Sequence, residues 1–459
     1  MSSSKKPPAF NHSNESAVPS GRFARLSRFG ALATTVAGSV VKNGTKQLAQ
    51  GKRPKLSSLL LTPKNALRVA DQLAQLRGAA MKLGQLVSMD AGDMLPPQLA
   101  EIMAKLRQDA KHMPRKQLLA VLEKEWGENW RERVREFNLT PIAAASIGQV
   151  HEAISLDGEK LAIKIQYPGV RDSIDSDIDN VATILRFTSL VPKTFDLAAL
   201  LAEAKKQLHE EADYLREAEY IAKYTEALGE DERFEVPTVN TRLTTRGILA
   251  MRYVEGVSIE QMAHATQPVR DKIATTMFEL LFKELLGMRL MQTDPNFANY
   301  RYNPKTGKVV LLDFGATRSF DKELVDGYVD VMKAAQAGSR SLMEKAATRI
   351  GYFDSSTQTH HRELVLDLMD LACEPFCTKG CFDFGNTDLA ARIRDKGFEL
   401  GEDRKFWHAP PIDCLFIHRK LGGLFLLVTR LQARVDVSKS SDITSCATLK
   451  KREISDSFC

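Results

Sequence analysis

The stretch that decides the fold is residues 294–315, which read DPNFANYRYNPKTGKVVLLDFG. Asp294 and Asn299 are five positions apart, and Asp313 opens an Asp-Phe-Gly triplet further along the same stretch. The residues between them predict two short strands around a Pro/Gly turn, because proline and glycine favour tight turns. Such a hairpin would bring Asn299 and Asp313 to the same end, where both could hold one metal ion.

Two charged residues upstream complete a site for nucleotide phosphates. Lys164 ends an apolar Leu-Ala-Ile-Lys stretch that predicts a strand, and Glu217 lies on a later predicted helix. A strand lysine can pair with α/β-phosphates, while a glutamate carboxylate holds its long side chain in place. Asn299 and Asp313 offer the oxygen ligands that Mg²⁺ prefers. Asp294 would orient or deprotonate an acceptor hydroxyl, or position a water. Each motif is weak alone, but their order and spacing indicate a protein-kinase-like site.

The composition is that of a globular chain long enough to form two or more domains. It has 459 residues, of which 43% are hydrophobic and 27% are charged, with a net charge of +6. Residues 1–55 hold ten Lys and Arg side chains against Glu15 alone, so the remaining chain carries a net charge of −3. We therefore expect no nucleic-acid partner, because surfaces that bind nucleic acid are strongly basic.

The N-terminal region leaves several arrangements open. Residues 1–20 are rich in Ser, Pro and Asn and are predicted to be disordered, and this polar start argues against a secretory signal. In residues 22–40, apolar positions recur near helical spacing among arginines. This pattern fits a helix on an anionic membrane surface, a helix packed on the body, a solvated linker or an organelle transit peptide. No stretch reaches the roughly 18–20 apolar residues of a membrane-spanning helix.

Three cysteines, Cys373, Cys377 and Cys381, follow one another at intervals of four residues, which invites a metal-site interpretation. Pro375 and Gly380 interrupt any shared helix face, and no histidine lies within the cluster. In a chain of this size the six cysteines do not indicate disulfides. We therefore favour reduced thiols over a metal site.

The pattern along the chain predicts five segments. They are a basic, partly disordered segment 1–55 with an amphipathic stretch, a helical extension 56–130, a kinase-like N-lobe 131–250, a kinase-like C-lobe 251–440 and a tail 441–459. A helical region is predicted from about 197 to 228, and a strand at 246–254 is predicted to lead into the hinge between the lobes. The sequence lacks the motif G-x-x-x-x-G-K-[ST] of P-loop NTPases, so its absence excludes that class of protein.

Three elements of an ordinary protein kinase are replaced or missing. Where such a kinase has G-x-G-x-x-G over the phosphates, this chain has Ala143–Ser146, and methyl groups should stiffen that loop. Gln292-Thr293 stands before Asp294 in place of His-Arg, and no Ala-Pro-Glu follows the Asp-Phe-Gly. The last two elements shape peptide docking, so the sequence argues against ordinary protein phosphorylation.

With these departures the chain resembles the UbiB-like atypical kinase family (AarF/UbiB type), which is associated with coenzyme Q (ubiquinone) biosynthesis. The resemblance runs from about Arg22 to about Val437 and includes a K-x-G-Q motif at Lys82-Leu-Gly-Gln85 and an E-x-D motif at Glu211 and Asp213. The ending Arg-Lys-Leu-Gly-Gly-Leu-Phe-Leu-Leu at 419–427 and the absence of C-terminal membrane helices suggest the coenzyme Q branch. The resemblance implies an α+β, two-lobed protein-kinase-like fold with an N-terminal helical extension packed over the active site.

The resemblance also assigns residues to roles. It implies catalytic roles for Asp294, Lys164, Lys82 and Gln85, and Mg²⁺ ligation by Asn299 and Asp313. It implies a nucleotide site formed by Ala143, Ala144, Ala145, Ser146, Val150, Lys164, Glu211, Asp213 and Glu217. Lys82 would meet Glu211 and Asp213 and block peptide access, whereas the alternative is a lysine lying on the surface. Arg252 at the hinge and Gln292-Thr293 before Asp294 depart from the family pattern.

The resulting expectation is an atypical kinase or ATPase that uses ATP (or ADP) and Mg²⁺ and supports quinone-lipid synthesis. Its expected partners are a quinone precursor or isoprenoid lipid, quinone-biosynthesis proteins and an anionic membrane surface. The expected location is the cytoplasm, the periphery of an inner membrane, or the mitochondrial matrix if the source is eukaryotic. The rivals are a nucleotide-binding scaffold without turnover, a small-molecule phosphotransferase and, third, a plain protein kinase.

Overall fold

The structure is a computed structural model that describes residues 112–188, 197–402 and 410–440. The predicted segment 1–55, most of the extension 56–130 with Lys82 and Gln85, and the tail 441–459 lie outside these residues. The chain divides into an N-terminal unit, Met1–Ala218 with Val239–Tyr253, and a C-terminal unit, Glu219–Thr238 with Val254–Cys459. The boundaries of the five predicted segments stay a prediction.

The described residues contain the following strands, numbered in chain order: β1 (Val134–Phe137), β2 (Ala143–Ala144), β3 (Gly148–Ser155), β4 (Lys160–Gln166), β5 (Phe234–Glu235), β6 (Ile248–Arg252), β7 (Val257–Ser258), β8 (Leu290–Gln292), β9 (Tyr300–Asn303), β10 (Lys308–Leu311), β11 (Thr317–Ser319), β12 (Phe382–Asp383) and β13 (Arg434–Val435). Their α-helices are α1 (Arg115–Trp126), α2 (Val170–Thr188), α3 (Leu197–Glu211), α4 (Tyr214–Leu228), α5 (Gln267–Phe282), α6 (Lys322–Gln336), α7 (Arg340–Ile350), α8 (Thr359–Cys377), α9 (Leu389–Glu402), α10 (Ile412–Arg430) and α11 (Val437–Ser440).

The N-terminal unit is built on an antiparallel sheet in the order β1-β3-β4-β6, with β2 pairing to β3. Leu161, Ile163 and Ile165 alternate along β4 and are fully buried, as a strand with one face on a core requires. Helix α1 packs Leu122 and Trp126 into the same core. The Trp126 indole N–H also donates to the Leu243 carbonyl (2.8 Å), so the described end of the predicted extension is fixed on this sheet.

The helical region predicted at 197–228 consists of two helices rather than one. Helix α3 ends at Glu211 and α4 begins at Tyr214. The Asp213 carboxylate accepts a hydrogen bond from the Arg216 backbone N–H (3.2 Å), which is the bond that an N-cap residue makes with the third residue of its helix. The break therefore follows from a capping aspartate between two helix-forming stretches.

The C-terminal unit holds a four-stranded sheet in the order β5-β10-β9-β7 and two small two-stranded sheets, β8 with β11 and β12 with β13. Strands β9 and β10 form the antiparallel hairpin that the sequence predicted, with Tyr300 opposite Leu311 and Asn303 opposite Lys308. Helix α5 lies in the core, where Phe278 is fully buried. The prediction of a hairpin between Asn299 and Asp313 is confirmed.

Helix α8 carries Cys373 and Cys377, whereas Cys381 lies beyond its end. These three residues and Cys414 are free thiols, and burial raises the pKa of Cys373 to about 12. Among the described residues no group of three or more His, Cys, Asp or Glu side chains could hold a metal ion. The same residues include no helix both long enough and apolar enough to cross a membrane.

Candidate active site

A buried ion pair lies at the centre of the N-terminal unit's candidate residues. The Lys164 ammonium on β4 donates to both carboxylate oxygens of Glu217 on α4, at 3.1 and 3.0 Å. Glu217 is 1% exposed and Lys164 is 8% exposed, and the ammonium also lies 5.1 Å from the centre of the Tyr214 ring. A buried charge is costly unless it is paired, so the Lys164 side chain is held in one position. This is the pair that the sequence predicted.

The alanine-rich loop forms a tight hairpin beside Lys164. Ala143 pairs with Val150, and Val150 pairs with Lys164 on the next strand. Because residues directly opposite in antiparallel strands share a face, these three side chains form one row across the sheet. Ala143 and Ala144 are exposed, and Ala145 and Ser146 are partly exposed, so the loop is open to a ligand.

Gly148 is required where this hairpin meets β4. A Cβ atom on Gly148 would lie 2.3 Å from the Ile165 carbonyl oxygen, a contact that real side chains do not make. The sequence therefore keeps one glycine of the loop for close approach of two strands. The other positions of the loop are occupied by alanine, serine and isoleucine.

The E-x-D motif lies next to the same hairpin. The Ser146 hydroxyl donates to the Glu211 carboxylate (3.3 Å), and the Arg171 guanidinium lies 3.9 Å from Asp213. Glu211 and Asp213 are partly exposed, one at the end of α3 and the other capping α4. Lys82 and Gln85 lie outside the described residues, so the predicted contact of Lys82 with this motif stays a prediction.

In the C-terminal unit, Asp294 follows β8 and is paired with an arginine from α10. The Arg419 guanidinium lies 3.1 Å from the Asp294 carboxylate, and the side chain of Arg419 is 4% exposed. The Asn296 backbone N–H donates to the same carboxylate oxygen (3.3 Å). Asp294 keeps 18% of its side chain exposed, so its carboxylate is fixed by the protein and still reachable.

Asn299 and Asp313 are joined by the backbone of the hairpin. The Leu312 N–H donates to the Asn299 carbonyl (2.8 Å), which places Asp313 one residue beyond the last paired position. Asp313 has φ of +58°, a left-handed conformation that is uncommon outside glycine. The Gln292 amide donates to the carbonyls of Leu312 and Asp313, so the residue that replaces the kinase histidine supports this conformation.

A cluster of buried polar side chains lies behind the Asp294 loop. The Lys420 ammonium pairs with Glu284 (2.7 Å) and donates to the Gln292 carbonyl (3.0 Å) and the Tyr300 hydroxyl (2.9 Å). The Tyr224 hydroxyl donates to the other Glu284 oxygen (2.9 Å). Burial alone would lower the pKa of Lys420, but Glu284 and Tyr300 outweigh burial and raise it, so the ammonium remains charged.

Asn299 and Asp313 carry side-chain oxygens of the kind that Mg²⁺ prefers. Asn299 is 6% exposed, yet its amide nitrogen has no hydrogen-bond partner in the described part of the chain. A donor nitrogen does not ligate a cation, so the case for a metal rests on the oxygens of the two side chains. Mg²⁺ commonly takes one or two protein oxygens and completes its shell with phosphate oxygens and water. A pair of oxygen donors is what such an ion needs.

Comparison with known proteins shows the family of the chain. The family model described as ABC1 atypical kinase-like domain matches residues 105–347. The chain is 36% identical to atypical kinase COQ8, mitochondrial, of Saccharomyces cerevisiae, over 92% of this chain and 85% of the relative. It is also 36% identical to atypical kinase COQ8B, mitochondrial, of Rattus norvegicus, over 94% and 81% of the two chains. The chain belongs to the ABC1 atypical kinase-like family.

A solved structure supports the same fold. The complex of Rv3197 with erythromycin from Mycobacterium tuberculosis matches with a TM-score of 0.58 and 26% identity, over 83% of this chain and 95% of that chain. The ABC1-family match confirms the α+β kinase-like fold, the resemblance to UbiB-like kinases linked to coenzyme Q biosynthesis, and the phosphotransferase class.

Two residues of this ABC1-family site were not predicted as site residues, although both stand in the ending at 419–427. Arg419 and Lys420 are the first two residues of that ending, and the structure places both against the Asp294 loop. A signal was present in the sequence, because two adjacent cations beside the apolar stretch 421–429 must find partners if the helix is buried. The sequence does not indicate which partners they are.

Gly423, on the same helix, allows α10 to approach the loop. A Cβ atom on Gly423 would lie 2.2 Å from the Pro295 Cβ, next to Asp294. We expect Gly423→Ala to destabilise the protein by about 1–3 kcal/mol, the usual cost of overpacking, and to lower ATP turnover by displacing the loop. Thermal unfolding and steady-state ATP hydrolysis measure the two effects.

Gly422→Ala is the matched control. Gly422 is exposed on the same helix, and an added Cβ would meet no atom within 4 Å. This substitution should leave turnover unchanged and stabilise the helix by up to about 1 kcal/mol, since alanine is the better helix former. Equal effects of the two substitutions would contradict the assigned role of Gly423.

Proposed function

We propose that the chain is an atypical kinase or ATPase that uses ATP and Mg²⁺ and supports coenzyme Q biosynthesis. The observation that carries this proposal is the buried Lys164–Glu217 pair, in which a carboxylate fixes a strand ammonium beside an open loop. Such an ammonium suits the α/β-phosphates of a nucleotide. The exposed methyl groups of Ala143 and Ala144 lie in the same hairpin and would contact the bound nucleotide.

The residues of the C-terminal unit have complementary roles in the proposal. Asn299 and Asp313 hold Mg²⁺, which when bound neutralises charge on the phosphate oxygens. Asp294 orients an acceptor hydroxyl or a water and accepts its proton. The Arg419 guanidinium fixes the direction of the Asp294 carboxylate. These assignments follow the chemistry of each side chain and its hydrogen bonds.

We further infer that peptides are excluded by the segment that bears Lys82 and Gln85. The support is the acidic pair Glu211 and Asp213, which lies beside Ser146 of the alanine-rich loop and offers a partner for a lysine. Lys82→Ala should then relax nucleotide preference and allow phosphorylation of generic peptides. If Lys82→Ala changes neither activity nor nucleotide and substrate selectivity, the segment does not exclude peptides.

The site of action is proposed from the relatives, several of which are named as mitochondrial proteins. We place the chain on the matrix side of the mitochondrial inner membrane if its source is eukaryotic, with residues 22–40 meeting anionic lipid. The substrates and partners are a quinone precursor or isoprenoid lipid and the proteins of quinone biosynthesis. A small-molecule phosphotransferase is the second candidate, favoured by the likeness to the Rv3197–erythromycin complex.

The test is ATP hydrolysis by the full chain with Mg²⁺, with and without anionic liposomes and phenolic quinone precursors. Turnover that rises with the precursors or liposomes supports the proposal. Nucleotide binding without turnover in any condition would favour a scaffold instead. Lipid extraction from a deletion strain gives a second readout, since loss of quinone with an accumulated precursor is expected. A deletion strain with normal quinone would contradict the assigned pathway.

A further inference from the structure

We propose that Lys420 is a positioning residue that clamps both ends of the loop carrying Asp294 and Asn299. This inference rests on the proposed function, because it concerns the geometry of the same two residues. The loop runs from Gln292 at the end of β8 to Tyr300 at the start of β9. The single ammonium of Lys420 binds the Gln292 carbonyl before Asp294 and the Tyr300 hydroxyl after Asn299.

The ammonium contacts three buried oxygen atoms in this arrangement. The Lys420 ammonium donates to the Gln292 carbonyl and the Tyr300 hydroxyl and forms an ion pair with Glu284, all within 3.0 Å. Lys420 is 3% exposed and Glu284 is fully buried. Because these oxygens are buried, water does not replace a lost contact, and its loss leaves a buried polar group unsatisfied. These three contacts therefore fix the position of the ammonium within the C-terminal unit.

Packing leaves a small gap beside this loop. A small, mainly apolar cavity lies between the loop and helices α5 and α10, and its lining includes Pro295, Phe297, Tyr300 and Lys420. Where side chains leave a cavity, the lining atoms lose contacts that would otherwise resist movement. The polar bonds of Lys420 add to the strand pairs that Gln292 and Tyr300 make, and through them one side chain reaches both ends of the loop. Asp294 and Asn299 lie between these two ends, so their positions depend on the distance between the ends.

Glu284 holds the Lys420 ammonium through one carboxylate oxygen and has a second buried partner. Its second oxygen accepts from the Tyr224 hydroxyl (2.9 Å), and Tyr224 makes an edge contact with Phe314 of the Asp-Phe-Gly triplet, with ring centres 4.8 Å apart. The hydroxyls of Tyr224 and Tyr300 are comparable, since each is buried and bonded to one member of the Lys420–Glu284 pair, Tyr224 as a donor to Glu284 and Tyr300 as an acceptor from Lys420. They differ in place, because only Tyr300 belongs to the loop.

This difference allows a matched experiment with Tyr300→Phe and Tyr224→Phe in the full chain. Each variant loses one hydroxyl bonded to a charged partner, and both should lower the thermal midpoint by a similar few degrees. Only Tyr300→Phe should also lower kcat for ATP hydrolysis by about tenfold and raise the Mg²⁺ concentration for half-maximal turnover, as loss of a supporting contact around metal ligands typically does. Tyr224→Phe should keep both values within about twofold of those of the wild-type chain.

The outcomes separate the clamp from the proposed function. Equal losses of turnover and Mg²⁺ response in the two variants would overturn the clamp, because the cluster would then act only through stability. Unchanged turnover in both variants, with both midpoints lowered, would overturn it as well. A different result would contradict the proposed function, namely ATP turnover that Asp294→Asn leaves unchanged. A fall in midpoint that both variants share, with a loss of kcat and a weaker Mg²⁺ response in Tyr300→Phe alone, supports the clamp.

Discussion

Asp294→Asn will lower ATP turnover by about 10²- to 10⁴-fold, the usual contribution of a positioned general base. Asparagine keeps the size and one oxygen of the side chain, so it can still accept from the Asn296 backbone N–H. It cannot accept a proton at neutral pH, and it orients an acceptor hydroxyl only weakly. The affinity for MgATP should stay within about twofold, because Asp294 is not among the proposed Mg²⁺ ligands. Steady-state hydrolysis and titration of MgATP by calorimetry measure the two quantities.

Two further variants control this experiment. Asp321→Asn makes the same chemical change at an exposed residue of the C-terminal unit whose side chain makes no capping bond to α6, and its turnover should match that of the wild type. Asp294→Asn also leaves the nearly buried Arg419 without its carboxylate, which costs stability. The double variant Asp294→Asn/Arg419→Gln removes that charge, so stability should recover while turnover stays low. Recovery of turnover in the double variant would contradict the role of Asp294.

The elements that the sequence predicted well are those with a local signal. The hairpin β9–β10 follows from a Pro/Gly turn between two short predicted strands, and the structure pairs Tyr300 with Leu311 and Asn303 with Lys308. The strand that carries Lys164 follows from the apolar stretch Leu-Ala-Ile-Lys, and the structure adds its pairing with Val150. Local chemistry decides these features, so the sequence alone is enough.

The role of Asp213 shows where the motif interpretation was incomplete. The sequence suggested it as a partner for Lys82, while the structure shows it capping α4. An N-cap residue sets where a helix begins, and therefore the direction in which each later residue points. Glu217 lies one turn into α4, so the cap also determines how its carboxylate reaches Lys164. An N-cap in the middle of a helix-forming stretch is easily missed, because the flanking periodicity continues on both sides.

The buried cluster around Lys420 could not be predicted for a different reason. Lys420, Glu284 and Tyr224 come from three elements far apart in the chain, and no periodic pattern joins them. The sequence indicates that a lysine beside an apolar helix needs an acceptor, and several acidic residues would satisfy that need. Only the packing of α10 against the segment that follows α5 selects Glu284. Non-local pairing of this kind is set by tertiary structure.

Lys420→Met will destabilise the C-terminal unit by about 3–5 kcal/mol at pH 8, the cost of leaving a buried charge without its partner. Burial raises the pKa of Glu284 above its ordinary value even in the intact pair. A carboxyl with a raised pKa in the folded chain contributes its full stability below the unfolded pKa and loses it as the pH rises through the folded pKa. The charge of Lys420 lowers the pKa of Glu284, so this pKa rises further in Lys420→Met, and the deficit relative to the wild type should be smaller at pH 5 than at pH 8. Urea midpoints followed by circular dichroism measure both differences.

The double variant Lys420→Met/Glu284→Gln separates the charge from the shape of the cluster. Glutamine is neutral and can still accept from the Tyr224 hydroxyl, so the buried charge disappears while that hydrogen bond remains. Most of the lost stability should return, and the dependence of the deficit on pH should vanish. Turnover should nevertheless stay below that of the wild type, because methionine at position 420 cannot donate to the Gln292 carbonyl and the Tyr300 hydroxyl. A double variant that regains full turnover with its stability would show that the charge pair serves the fold alone.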